Sequence, residues 1–201
     1  MRDVQHYDLN QATPTASTQI NFTQQNDQRW AGIIELSAHA NLQLDRDARN
    51  DIYLLSGQLT DDESTYGHDI FLSTGASDLP RWRAGFNGAV LFAYRDRLST
   101  ISGHQILPPA DLDWVQGGVN GMRVAVLSET HHQLMLVSWQ PGTRMRFHRH
   151  PQGEEIFVLR GRLIDEHGSY SAGSWQRLHV DAGHAPYVEE ETLILLRNGH
   201  L

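Results

Sequence analysis

The sequence repeats itself. "DIYLLSGQLTDDESTYG" (51–67) aligns with "EIFVLRGRLIDEHGSYS" (155–171) at a constant offset of 104, which pairs Gly57 with Gly161, Leu59 with Leu163, Asp61 with Asp165 and Tyr66 with Tyr170. The apolar run "GAVLFAY" (88–94) falls opposite "TLILLRN" (192–198) in the same register. A register kept by glycine, aromatic and apolar positions is read as duplication, so the chain should fold as two small domains of one kind.

Short apolar runs such as "IYLL", "IFVLRGRL", "LMLVSW" and "TLILL" are rich in β-branched and aromatic residues and are broken by Gly, Pro, Asp and Asn. That pattern predicts strands joined by turns. Long stretches of helical period are scarce, although "ADLDWVQGGVNGMRVAVL" leaves room for one turn of helix. The expected class is therefore all-β, a sandwich or barrel of many short antiparallel strands, with jelly rolls among the options. Composition sets the expected boundaries: a polar N-terminal arm over 1–28, a first repeat over 29–98, a Ser-, Gly- and Pro-rich linker over 99–113, and a second repeat over 114–201.

Composition also excludes several chemistries. There is no cysteine, and all sixteen basic residues are arginines, so thiolate ligands, disulfides, Schiff bases and a lysine-bearing phosphate loop are ruled out. The net charge of −8 argues against a nucleic-acid partner, which needs a basic face. No apolar run is long enough to span a bilayer and the N-terminus lacks a signal-peptide core, so a cytoplasmic protein with no membrane partner is expected. Histidine is abundant, with eight of the twelve beyond residue 130.

Those histidines cluster in "GTRMRFHRHPQGEEIFVLRG" (142–161). On a strand, residues i and i+2 share a face, so His148 and His150 project together. Glu154 and Glu155 must face opposite ways, and only one of them can join the pair. His184, at the start of the last strand, could close the set. Three imidazoles and a carboxylate suit a divalent first-row metal and leave positions for water or substrate. An isolated HxH in a His-rich chain is more often a pair of surface groups on a hairpin, so the spacing has to decide. It runs G-x5-HxH-x3-E-x6-G from Gly142 to Gly161. This is similar to the first motif of the cupin superfamily and selects Glu154. The second cupin motif is met in spacing from Gly173 to His184, but His179 stands for its proline, Asp181 for its glycine and Val188 for its asparagine.

The run Gly161, Asp165, Glu166, Gly168, Tyr170, Ala172 and Gly173 resembles more narrowly the ChrR-like cupins, named for the C-terminal cupin domain of an anti-sigma factor. The resemblance covers 114–198 well and 30–94 more weakly. It implies two jelly-roll barrels in tandem, a bicupin, with one divalent metal held by His148, His150, Glu154 and His184. Zinc is the expected ion as isolated, with iron, manganese or nickel as alternatives. It implies a small-molecule ligand or substrate and a homodimer, and two kinds of function: a metal-dependent dioxygenase, or a sensor that signals through a protein partner. The cysteine-bearing zinc domain that grips a sigma factor in that family has no counterpart here, so a sigma factor is not an expected partner.

The first repeat serves as an internal control. Subtracting the offset from the four ligands gives Leu44, Arg46, Asn50 and Pro80, none of them a suitable donor set. His39 is out of register and is expected on the surface. For catalysis, His179 is the leading acid–base candidate and Arg146 a candidate for binding a carboxylate. Tyr170 and Trp175, matched by Tyr66 and Phe71, are expected to pack, and His131 and His132 to form a turn.

Overall fold

In the computed structural model, which describes residues 1–10, 13–23, 28–75, 81–99, 103–129 and 133–201, the chain separates into two compact units. One is Asn10–Asp111; the other joins Met1–Leu9 to Leu112–Leu201. In chain order the strands are β1 (Arg2–His6), β2 (Thr18–Asn21), β3 (Arg29–Leu36), β4 (Arg49–Thr60), β5 (Thr65–Tyr66), β6 (Phe71–Thr74), β7 (Arg83–Asp96) and β8 (His104–Leu107). After a 3-10 turn at Pro109–Asp111 come β9 (Trp114–Gln116), β10 (Met122–Glu129), β11 (Gln133–Trp139), β12 (His148–Arg149) and β13 (Glu154–Arg160). The chain ends with β14 (Arg162–Asp165), β15 (Gly168–Ser171), β16 (Ser174–Leu178), β17 (Gly183–His184) and β18 (Thr192–Asn198). All described sheets are antiparallel, as the turn-rich sequence requires.

In the unit of residues 10–111 the strands lie in the order β2-β3-β7-β4-β6-β8, with β5 beside β4. Its core contains Trp30, Leu36, Ile52, Leu54, Leu59, Leu72, Trp82 and Leu91. The other unit has a sheet ordered β1-β16-β13-β18-β11-β10-β9 and two small sheets, β12-β17 and β14-β15. Its core contains Trp139, Ile156, Val158, Leu163, Leu178, Val188 and Ile194. The central strand β13 is buried at every position from Glu154 to Leu159. A strand covered on both faces reads as a continuous apolar run, which explains "IFVL".

Strands β10-β11-β18-β13-β16 and β2-β3-β7-β4-β6 share one order. They also share a bulge, between Val158 and Arg160 on β13 and between Leu54 and Ser56 on β4. Register refines the alignment. Phe157 pairs with Leu195 where Tyr53 pairs with Phe92, so the offset is 104 on β4 and β13 but 103 on β7 and β18. The segment before the last strand is one residue shorter in the second unit, so "GAVLFAY" lies one residue away from its expected match.

Two boundaries also differ from the compositional ones. The 1–28 arm is divided: β1 is the edge strand beside β16, while β2 pairs with β3. The 99–113 stretch contains β8, which pairs with β6. Polar, turn-rich composition does not exclude an edge strand, because only one of its sides needs a partner.

Gly161 closes the bulge of β13 at φ 73°, where an added Cβ would lie 2.3 Å from the carbonyl oxygen of Glu191. Gly142 has φ 84° but nothing within 4 Å of a Cβ. In urea titrations, Gly142→Ala should lose about 1–2 kcal/mol through its dihedral alone. Gly161→Ala adds a backbone clash and should lose about 2–4 kcal/mol.

Candidate metal centre

The turn "PQG" lets the chain leave β12 and enter β13 within a few residues, with Gly153 N–H donating to the His150 carbonyl at 3.0 Å and Gly153 at φ 69°. Strand β12 pairs with β17 so that His148 lies directly opposite His184 and Arg149 opposite Gly183. The His150 N–H then bonds the Ala182 carbonyl at 2.9 Å. Three imidazoles are thereby brought together, steeply inclined to one another, with ring centroids 4.8, 4.9 and 5.1 Å apart and nitrogens within 4.8 Å of one another. Glu154, the first residue of β13, reaches the same point: its Oε2 is 3.4 Å from His150 Nδ1 and its Oε1 3.6 Å from His184 Nε2. Glu155 faces the other way, onto Arg177 at 2.6 Å and His200 at 3.0 Å.

Where the second motif departs from the cupin pattern, the structure supplies substitutes. Asp181 adopts φ 63° in place of the motif's glycine, a conformation that Asp tolerates better than most residues. Val188 fills the core where the motif has asparagine. His179 replaces a proline and so has an N–H, which donates to the Met1 carbonyl at 3.2 Å; its ring bonds Asp3 at 2.9 Å. His179 thus holds the N-terminal strand and does not line the cavity beside the imidazoles. The Arg146 side chain is exposed and also absent from that lining, while its carbonyl accepts a hydrogen bond from His148 Nδ1 at 3.0 Å. Trp175 is buried and packs, Tyr170 packs with its hydroxyl bonded, and His39 lies exposed in a turn. His131, His132 and Pro80 lie outside the described residues.

Two residues that the sequence did not single out for the site support it from behind. The Asp165 Oδ1 accepts the N–H groups of His167 and Gly168 at 2.8 and 3.2 Å and so shapes the β14–β15 turn. Its Oδ2 accepts from His184 Nδ1 at 3.3 Å and from Arg2 Nη1 at 2.5 Å. Arg2 also donates to the Tyr170 hydroxyl at 2.9 Å and to Gln176 Oε1 at 3.1 Å. Because carbonyl and carboxylate oxygens only accept, His148 and His184 carry their protons on Nδ1 and turn Nε2 lone pairs toward the centre. Asp61, the counterpart of Asp165, caps its turn in the same way but gives its other oxygen to Tyr66 at 2.7 Å. The repeat makes Asp165 visible; nothing in the sequence ties Arg2 to it.

Burial dominates the charges. It pushes Glu154 up to about 8, against the pull of Arg2. It pushes His150 down to about 4, aided by the neighbouring imidazoles, and lowers His184 despite the hydrogen bond to Asp165. Burial alone would raise Asp165, but His184 and Arg2 outweigh it and hold it near 2. His150 Nε2 and Glu154 Oε1 are buried without a hydrogen-bond partner. Such atoms are costly unless something else satisfies them. The donor set, nitrogens with one carboxylate oxygen in the lining of a cavity of about 380 Å³, fits a divalent first-row ion.

In the first unit the corresponding positions do other work. Asn50, in the place of Glu154, donates from Nδ2 to the Asp45 and Ala48 carbonyls at 2.9 and 3.0 Å. Arg46 is exposed and Leu44 packs against the core.

Residues 102–201 match the family described as ChrR Cupin-like domain. No curated protein matches the sequence. Among solved structures, a "putative dioxygenase" from Nostoc punctiforme aligns with a TM-score of 0.79 at 11% identity, covering 98% of this chain and 83% of its own. A Cupin 2 conserved barrel domain protein from Leptotrichia buccalis aligns at 0.66 and 15% identity, covering 94% and 92%. The Bacillus subtilis oxalate decarboxylase, described with Mn(II) centres, aligns at 0.60 and 16% identity, covering 92% and 72%. At these identities the likeness is one of fold. No helix among the described residues is long and apolar enough to cross a membrane.

The pKa of Glu154 predicts how the metal-free protein responds to pH. Its folded value is raised from 4.5 to about 8, so its native state prefers the proton and this contribution to stability is lost as pH rises between those values. His150, lowered from 6.5 to about 4, acts oppositely but only below 6.5, and the lowered His184 and His200 likewise. Between pH 6.5 and 8, chelator-treated protein should therefore lose stability with rising pH, and Glu154→Gln should flatten that slope in thermal melts.

Proposed function

We propose that the chain is a member of the cupin superfamily, whose ChrR Cupin-like domain its residues 102–201 match, and that its second unit is a mononuclear metal centre, with His148, His150, Glu154 and His184 as ligands, that acts on a small molecule in an oxygenase-type reaction. The observation that carries this reading is the convergence of three imidazoles and Glu154, with His150 Nε2 and Glu154 Oε1 buried and unpartnered. Iron, manganese or nickel suits the donor set for such chemistry, and zinc is the ion expected on isolation. Bound there, a redox-active divalent ion supplies Lewis acidity and one-electron chemistry.

The chain's own residues do the rest. Asp165 keeps the His184 proton on Nδ1, and Arg2 keeps Asp165 ionised and fixed in place. Glu154 adds a negative charge that a bound cation would compensate. Beyond these four donors, Arg149 is the only titratable side chain lining the cavity among the described residues, and it donates to the Asp181 carbonyl at 2.8 Å. A hydrolysis that needs a further protein acid or base is poorly served, which favours oxygenase-type chemistry over a hydrolytic one. His179 and Arg146 take no catalytic role in this reading. The first unit is a second copy of the same fold without the donors, a reading supported by the common strand order and the common bulge.

The test is metal content by elemental mass spectrometry on untagged protein. Wild type should hold about one equivalent and His150→Ala should lose it; absence from both, even after reconstitution, overturns the reading. Asp165→Asn should keep the site but lower metal affinity about 10–100-fold in chelator competition, with Arg2→Met falling in the same direction.

A further inference from the structure

The interior of the second unit is layered by strand register. At the histidine end, Glu154 on β13 pairs with Asn198 on β18, which pairs with Gln133 on β11. One layer deeper come Ile156, Leu196 and Met135, and beyond them Ile194, Val137 and Val124. All of these line the same cavity. Side chains two apart on a strand share a face, so the carboxylate, imidazoles and amides gather at one end, the walls next to them are hydrocarbon and thioether, and the Trp139 indole lies beyond Val137 on β11. The one cation of the lining, Arg149, is held at the rim by the Asp181 carbonyl, with its guanidinium 5.6 Å from the Phe147 ring centre.

Charge narrows the choice of ligand. A divalent ion with three neutral imidazoles and the Glu154 carboxylate leaves one net positive charge. Asp165 and Arg2 cancel each other behind His184. A second negative charge on a ligand would therefore enter a largely apolar cavity whose one lining cation among the described residues, Arg149, is drawn away to the Asp181 carbonyl, at a large desolvation cost.

We propose that this cavity takes monoanionic ligands with one small oxygen head and an apolar body, the head at the His148–His150–His184 end beside the Asn198 and Gln133 amides and the body along the Met135, Leu196 and Val137 wall. Dicarboxylates are excluded. The assignment rests on the metal reading above. It goes beyond that reading in naming what the centre accepts, and the volume of about 380 Å³ has room for a single substituted ring.

The experiment uses the full-length protein loaded with cobalt(II), whose visible spectrum reports the centre, with calorimetric titration of three probes: 3-phenylpropionate, acetate and succinate. The expected result is that 3-phenylpropionate perturbs the cobalt bands and binds at least about tenfold more tightly than acetate or succinate. Met135→Gln, of similar size and shape, should bring its affinity toward that of acetate while leaving the ligand-free cobalt spectrum unchanged. Succinate binding as tightly as 3-phenylpropionate, or no probe binding to loaded protein, overturns the ligand class and leaves the metal reading standing. Failure to take up cobalt removes the metal reading, and this assignment with it.

Discussion

A carboxylate removed from water must give up its charge or find an opposite one. Glu154 is 4% exposed, it lies beside His150 and His184, whose imidazoles burial keeps neutral, and the cation that acts on it is the Arg2 guanidinium, which is engaged by Asp165. The second unit is organised around that fact. Strand β13 starts with the carboxylate and continues as an apolar core strand, so the charge sits where the polar end of the barrel meets its hydrophobic interior. The β12–β17 pair, too short to be stable alone, places two histidines beside it. The cost of such a cluster is tolerable in a folded chain when a cation offsets it.

The first unit shares the strand order and the bulge of the second without that constraint. Asn50 takes the place of the carboxylate and spends its amide on the carbonyls of its own loop, which stabilises the turn with no charge to compensate. Asp61 and Asp165 make the point again. Each caps a hairpin with one oxygen; only Asp165 turns the other toward an imidazole. Structural residues of an ordinary turn thus become supports of a site through a change in what lies opposite them.

The N-terminal strand is part of that support. Arg2 reaches Asp165 across most of the length of the chain, and the departure of His179 from the cupin proline supplies the N–H that holds Met1. A substitution that looks like erosion of a motif is, in three dimensions, a contact.

Several features were legible without coordinates because they depend on local periodicity. Strand alternation placed His148 and His150 on one face, opposed Glu154 to Glu155, and together with motif spacing brought His184 to the group. The repeat marked Asp165. What only the tertiary structure decided depends on contacts between distant segments: the pairing of β1 with β16, the Arg2–Asp165–His184 chain, and the turning of Arg146 and His179 away from the cavity. The one-residue slip on β7 and β18 belongs there too, since register is set by which strand lies alongside, and a single sequence carries its own periodicity but not its neighbour's.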